Sequence, residues 1–167
     1  VRDKDAVSAC CLIAEVAAWA KDNGKTLFEL LLDIYLEYGF SKNVTVNVVK
    51  PGKSGAEEIS AMMEDFRKNP PHSLGGSKVK VWKDYKNLIE MDNAGRTKKM
   101  DMPESANVLQ YFTVDGSKIS VRPSGTEPKI KFYLEVNVPM ASRTDFYKAN
   151  AEADVIVEKL KKSLDIL

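Results

Sequence analysis

The 167-residue chain has little of several things, and each scarcity narrows its identity. Cysteine occurs twice, as the neighbours Cys10 and Cys11. Adjacent cysteines rarely bridge one another, so a secreted disulfide framework is excluded and a reducing compartment, the cytoplasm, is expected. Histidine occurs once, at His72, with no second histidine and no nearby cysteine for a metal site. It reads as a solvated loop residue. Charge of one sign is not in excess: 25 Lys and Arg against 24 Asp and Glu leave a net charge of +1. That balance excludes a dedicated nucleic-acid binder and an acidic disordered tail. No apolar run reaches the roughly 18 residues that span a bilayer, and no secretory leader pattern appears. No membrane or nucleic-acid partner is expected.

What is present is ample core material, 44% hydrophobic residues, in a length that fits one domain or one domain plus a piece of another. Thirteen of the 15 residues from Ala6 to Ala20 are apolar, broken only by Ser8 and Glu15. A helix apolar nearly all round is normally covered on several sides, which makes Cys10 and Cys11 small core residues. Asp3 or Asp5 is placed to cap this helix and Asn23-Gly24 to end it. Thr26 and Glu29 form a capping box for a second helix, which Gly39 stops. Residues 1–39 thus read as a helical hairpin. Val1 is not Met, and the chain enters this hairpin with almost no lead-in, as in a processed or cut piece of something longer.

From residue 40 the pattern changes. Val44, Val46 and Val48 alternate with polar residues as a strand. Ser54 and Glu57 form a capping box for a helix to about Lys68, ended by Asn69-Pro70-Pro71. Lys78–Trp82 alternates as a strand, and the run Lys78, Lys80 and Lys83 reads as its solvated face. Residues 86–107 are polar and irregular, a long loop. Val108–Val114 and Ser117–Arg122 are strands joined by Asp115-Gly116, a two-residue hairpin signal. Ile130, Phe132, Leu134, Val136 and Val138 alternate with polar partners in the cleanest strand of the chain. Ser142 and Asp145 box the start of a last helix to about Leu164. The fold class is α+β, a mostly antiparallel sheet with two helices on one face, preceded by the hairpin.

One segment could carry chemistry. Arg122-Pro123-Ser124-Gly125-Thr126-Glu127-Pro128 joins two strands, and as a bland hairpin loop its Pro, Ser and Gly are ordinary. As an anion cradle it is better furnished. Gly125 is free to take a positive φ that aims successive N–H groups at one point. Ser124 and Thr126 add hydroxyls, and Arg122 adds a planar fork suited to phosphate oxygens. Gly52-Lys53-Ser54 imitates the end of a nucleotide P-loop, but Asn47 stands where that motif needs glycine. Glu57-Glu58 and Asp101–Glu104 read as surface charge.

The run Arg122-Pro123-Ser124-Gly125-Thr126-Glu127-Pro128-Lys129-Ile130-Lys131-Phe132-Tyr133 resembles the C-terminal phosphate-binding loop of the α-D-phosphohexomutases. That superfamily includes phosphoglucomutase/phosphomannomutase and phosphoglucosamine mutase. Asn107-Val108-Leu109 and Asp115-Gly116 precede the loop at the family's spacing. Arg2-Asp3-Lys4-Asp5-Ala6 and Gly24-Lys25-Thr26-Leu27 are similar to the end of the family's third domain. The resemblance implies that residues 40–167 are the fourth domain, with a TATA-binding-protein-like fold, and residues 1–39 the last helices of domain three. It implies a sugar phosphate as substrate, gripped by Arg122, Ser124, Gly125 and Thr126, with Lys131 as an electrostatic contributor. Glu127 would approach phosphate only through its N–H.

The family's Ser-His-Asn-Pro-like phosphoserine segment, its Asp-Gly-Asp-x-Asp-Arg metal loop and its Gly-Glu-x-Ser-Gly sugar loop are missing from this sequence. The resemblance therefore implies no catalytic residue here, Mg2+ for the full enzyme but not for this chain, and N-terminal domains as missing partners. A stand-alone phosphate-binding or regulatory module, or part of a phosphoglucosamine mutase, is the alternative. The apolar hairpin argues for truncation and implies a non-native homodimer through the N-terminal helices.

Overall fold

The computed structural model describes residues 4–52 and 54–166. It divides into two compact units. One comprises Val1–Phe40 with Pro139–Ala149, the other Ser41–Val138 with Asn150–Leu167.

In the first unit, α1 (Ala6–Asp22) starts where the Asp5 carboxylate accepts the N–H groups of Val7 and Ser8 at 3.0 and 3.2 Å. Asp3, the other candidate cap, lies outside the described residues. The Asn23 side chain donates to Trp19 O at 2.8 Å to close the helix. The box of Thr26 and Glu29 opens α2 (Leu27–Tyr38), and Gly39, at φ 95°, ends it. The box of Ser142 and Asp145 is also present, but it opens a 3-10 turn over Arg143–Asp145 before α4 (Phe146–Ser163) begins. Asp33 ties the unit together, pairing with Lys25 at 2.8 Å and with Arg143. The rings of Phe28, Tyr35, Phe40 and Phe146 meet at centroid distances of 5.0–6.3 Å.

The apolar block is real, yet it is not covered. Among the described residues α1 buries only Ala20. Cys10 and Cys11 are exposed, against the expectation of core positions. The physical reason is geometric: α2 covers one stripe of a helix that is apolar around most of its circumference.

The second unit is built on an eight-stranded sheet. Its strands are β1 (Phe40–Val49), β2 (Ser73–Leu74), β3 (Ser77–Asp84), β4 (Ile89–Asp92), β5 (Thr97–Lys99), β6 (Leu109–Thr113), β7 (Lys118–Pro123) and β8 (Lys129–Val138). Their order is β1-β8-β7-β6-β3-β4-β5, with β2 attached to β3. The sheet is mostly antiparallel, as expected. Strand alternation sends Ile119, Val121, Ile130, Phe132, Leu134 and Val136 to one fully buried face. Against that face α3 (Gly55–Lys68) contributes Ile59 and Met63, and Phe66 meets Phe132 edge-on at 5.9 Å. Ala153, Val157 and Leu160 of α4 are also buried.

Three local expectations change. The segment 86–107 is not one loop; it contains β4 and β5, closed by a turn in which Asp92 accepts the N–H groups of Ala94 and Arg96. These strands are too short and too charged to show alternation; β3 pairs with β4, and β4 in turn pairs with β5. A second hairpin, β2–β3, turns on Gly75 and Gly76, both at positive φ. Finally, Ser54 is itself helical and makes no side-chain cap. Its hydroxyl approaches Glu58 instead, at 3.4 Å.

Candidate functional site

The β7–β8 register carries Arg122 and Lys131 to directly opposed positions at the end of the hairpin. Between them the loop closes on itself. The Ser124 N–H donates to Lys129 O at 2.8 Å, and the Lys129 N–H donates to Glu127 O at 2.7 Å. Alternation fixes the directions: Val121, Ile130 and Phe132 occupy the buried face, so Arg122 and Lys131 stand on the opposite, solvated one. Arg122 is exposed and has no hydrogen bond or ion pair among the described residues. Two cations held side by side without a dedicated counter-ion form an anion-attracting edge.

On the other side, the loop overhangs α3. Ser124, Gly125, Thr126 and Glu127 line a cleft of about 450 Å³ with Ala56, Ile59, Ser60 and Met63 of α3, together with Gly52 and Asn107. The Ser124 and Thr126 hydroxyls have no hydrogen-bond partner among the described residues. The predicted residues are thus gathered at one hairpin tip but divided between its two faces. Three line the cleft, and two flank it on the sheet.

Gly125 does not take the positive φ expected of it. A Cβ built there would meet nothing within 4 Å, so neither strain nor crowding demands glycine in this conformation. The Glu127 carboxylate is paired with Lys129. The Lys129 ammonium, assisted by the charge of Lys131, holds that carboxyl below the usual carboxylate range. Glu127 is therefore a committed anion whose charge is locally answered.

The remaining motifs stay peripheral. His72 is exposed. Lys53, the lysine of the P-loop-like motif, lies outside the described residues. Lys78 and Lys80 are solvated, whereas Lys83 is engaged by Glu90 at 3.0 Å and lies 5.5 Å from the centre of the Phe112 ring. Among the described residues, no group of three or more His, Cys, Asp or Glu side chains could hold a metal ion. No helix there is long and apolar enough to cross a membrane. Asn107 and the α3 face join the cleft without any signal in the local sequence. They reach the loop only through the tertiary fold, so no local motif marks them.

Residues 77–153 match the family described as phosphoglucomutase/phosphomannomutase, C-terminal domain. The chain is 38% identical over 138 residues to a phosphoglucomutase of Staphylococcus haemolyticus. It is 39% identical over 141 residues to one of Staphylococcus aureus. Each match covers 83% of this chain and 25% of the relative, so the chain spans about a quarter of the length of these curated relatives. Among solved structures, the open form of the phosphoglucomutase pp63/parafusin from Paramecium matches with a TM-score of 0.52. That match has 17% identity and covers 99% of this chain and 28% of the other, which supports the fold.

Proposed function

From a chain that belongs to the α-D-phosphohexomutase superfamily as a C-terminal portion of such an enzyme, we propose that the 122–131 hairpin tip grips the substrate phosphate. The substrate is a hexose phosphate, interconverted between its 1- and 6-phosphates by the complete enzyme. The names of the curated relatives favour glucose over glucosamine. One observation carries the reading: Arg122 stands unpaired and opposed to Lys131, next to a loop with two unengaged hydroxyls. Such a set reads phosphate geometry and not the sugar ring. It therefore holds either phosphate of a bisphosphate intermediate that must turn over between transfers.

In this reading, residues 1–39 are the end of the third domain and residues 40–167 the fourth. The serine nucleophile and the Mg2+ ligands belong to domains outside this sequence. Mg2+ finds no fitting donor set among the described residues, so no step is assigned to it here. The exposed hairpin packs against a second copy of itself when those domains are absent. Two adjacent, unbridged cysteines favour a cytoplasmic location.

The test is twofold. Purified 167-residue chain, given glucose 1-phosphate and Mg2+, is expected to show no turnover. Phosphate titrated into 15N-labelled chain is expected to shift the Ser124–Thr126 amides, with affinity near millimolar, about −4 kcal/mol. Metal-dependent turnover by this chain alone, or silent loop amides, would overturn the reading.

A further inference from the structure

We propose that the Asn107 side-chain amide is a donor to the phosphate oxygens in the loop cleft, and that the buried Arg67–Asp84 pair is what aims it. This rests on the reading that the 122–131 tip grips phosphate. Asn107 lines the cleft together with Ser124–Pro128, although it belongs to a different segment of the chain.

Its orientation follows from donor chemistry. Arg67, in the last turn of α3, has a side chain only 8% exposed. Its Nε donates to Asp84 Oδ2 at 3.0 Å, its Nη1 to Glu64 Oε1 at 2.8 Å, and its Nη2 to Asn107 Oδ1 at 2.9 Å. Asp84 is fully buried and also accepts the Lys86 N–H at 3.0 Å and the Asn87 amide at 2.6 Å. The guanidinium is thus locked in position. A guanidinium only donates, so the Asn107 atom facing it is the oxygen. The two N–H groups on Nδ2 are left over, with no partner among the described residues.

The backbone around Asn107 is equally fixed. The Ala106 N–H donates to Tyr85 O at 3.1 Å, and the Tyr85 N–H donates to Val108 O at 3.0 Å. Asn107 is exposed, its oxygen faces Arg67 and its two N–H groups meet no protein partner among the described residues, so what it offers a ligand in the cleft is donors, which suit an anion or a hydroxyl oxygen. At a cleft that already presents the Ser124 and Thr126 hydroxyls, phosphate is the ligand whose oxygens use all of them. Asn107 would contact the ligand directly. Arg67 is a positioning residue, acting through Asn107.

The experiment titrates inorganic phosphate, then glucose 1-phosphate, into the 15N-labelled 167-residue chain. The Asn107 Nδ2 proton signals are expected to move together with the loop amides. Asn107→Asp keeps an acceptor for Arg67 but adds a charge that by itself repels phosphate, so the deciding variant is Asn107→Ala, which removes the donor at an exposed position without adding charge. It is expected to weaken phosphate binding about tenfold or more, the scale of one hydrogen bond to a charged group. Arg67→Lys is expected to abolish the phosphate-induced shift of the Asn107 side-chain signals while the chain stays folded by circular dichroism. Should Arg67→Lys unfold the chain, Asn107→Ala still decides the matter. Loop amides that shift while the Asn107 side chain does not, or an Asn107→Ala variant that binds phosphate like the parent, would overturn this inference and leave the loop reading standing. If the loop amides are silent as well, both fall.

Discussion

Ile119, Val121, Ile130 and Phe132 are fully buried, whereas Val7 and Leu12, of similar hydrophobicity, are 74% and 63% exposed. The first group alternates along neighbouring strands, so every second side chain lands on a face that α3 also covers. The second group surrounds a helix. Alternation offers one apolar face to one partner, while an all-round apolar helix needs partners on several sides. Hydrophobic content therefore locates the core in the sheet unit and only an unsatisfied surface in the hairpin unit.

The largest test of that contrast is a pair of truncations. Phe132→Ala should cost the sheet unit about 3–5 kcal/mol, because it leaves a cavity beneath Phe66. Leu12→Ala should change the stability of the monomeric chain by about 0.5 kcal/mol or less, since most of that side chain is already in water. Urea unfolding of both variants at high dilution checks this. Equal losses would mean that the hairpin is packed in solution.

The next test asks what the exposed surface does. Val7, Leu12, Ile13 and Trp19 give α1 an apolar surface that water disfavours. Sedimentation of the chain is expected to show self-association. Introducing charge with Leu12→Glu and Ile13→Glu should weaken it by about 3 kcal/mol, the scale of burying an unpaired polar group. A parent chain that stays monomeric and non-aggregating at high concentration would break the proposal that the hairpin pairs with a second copy.

The two units also differed in how readily they could be read. Both helices of the hairpin, with the Asp5 and Gly39 boundaries and the Thr26–Glu29 box, follow from caps that act within four residues. The long alternating β8 and the Asp115-Gly116 turn are equally local. Strands β4 and β5 were hidden because four residues and three residues cannot display a period. Gly75-Gly76 is a hairpin signal, but β2 beside it has only two residues and shows no strand period. At the site the contiguous loop was legible. Asn107 and the α3 face were not, because the cleft is made where separate segments meet. Gly125 is free to take a positive φ and does not, because a glycine's freedom is permission rather than instruction.

A smaller effect is expected at the loop itself. Arg122→Ala should weaken phosphate binding by about 2 kcal/mol, as for one charged hydrogen-bonding partner. Arg122→Lys should restore only part of this, because ammonium lacks the planar fork. In the complete enzyme the same pair should lower kcat/KM in the same order, with Arg122→Ala losing about 2–3 kcal/mol of transition-state binding. Unchanged binding in Arg122→Ala would remove Arg122 from the site and leave the cleft side of the loop as the whole of it.

The smallest effect concerns acid, and it returns to the hairpin unit. Asp33 is held below the ordinary aspartate value by the hydrogen bond from Lys25 and then by Arg143. Glu29 is lowered by the Thr26 N–H and hydroxyl, and Asp145 by the Ser142 hydroxyl. A carboxyl lowered in the folded state binds fewer protons there than when unfolded. Its contribution is complete above the unfolded values of 3.8 for Asp and 4.5 for Glu, and it is lost as pH falls through the lower folded values. All three groups are exposed enough for solvent to screen them, so each loss is small. The hairpin has little buried surface to offset even small losses, whereas the sheet has a core. The protection of the Glu29 and Leu30 amides, at the start of α2, measured against their intrinsic exchange rates, is therefore expected to fall near pH 3 before that of the β7–β8 amides. Asp33→Asn should flatten part of that pH dependence, because Asn keeps an acceptor but does not titrate. Hairpin amides whose protection factors stay unchanged from pH 7 to pH 3 would show that its caps and ion pairs contribute nothing, and that covered apolar surface holds the unit after all.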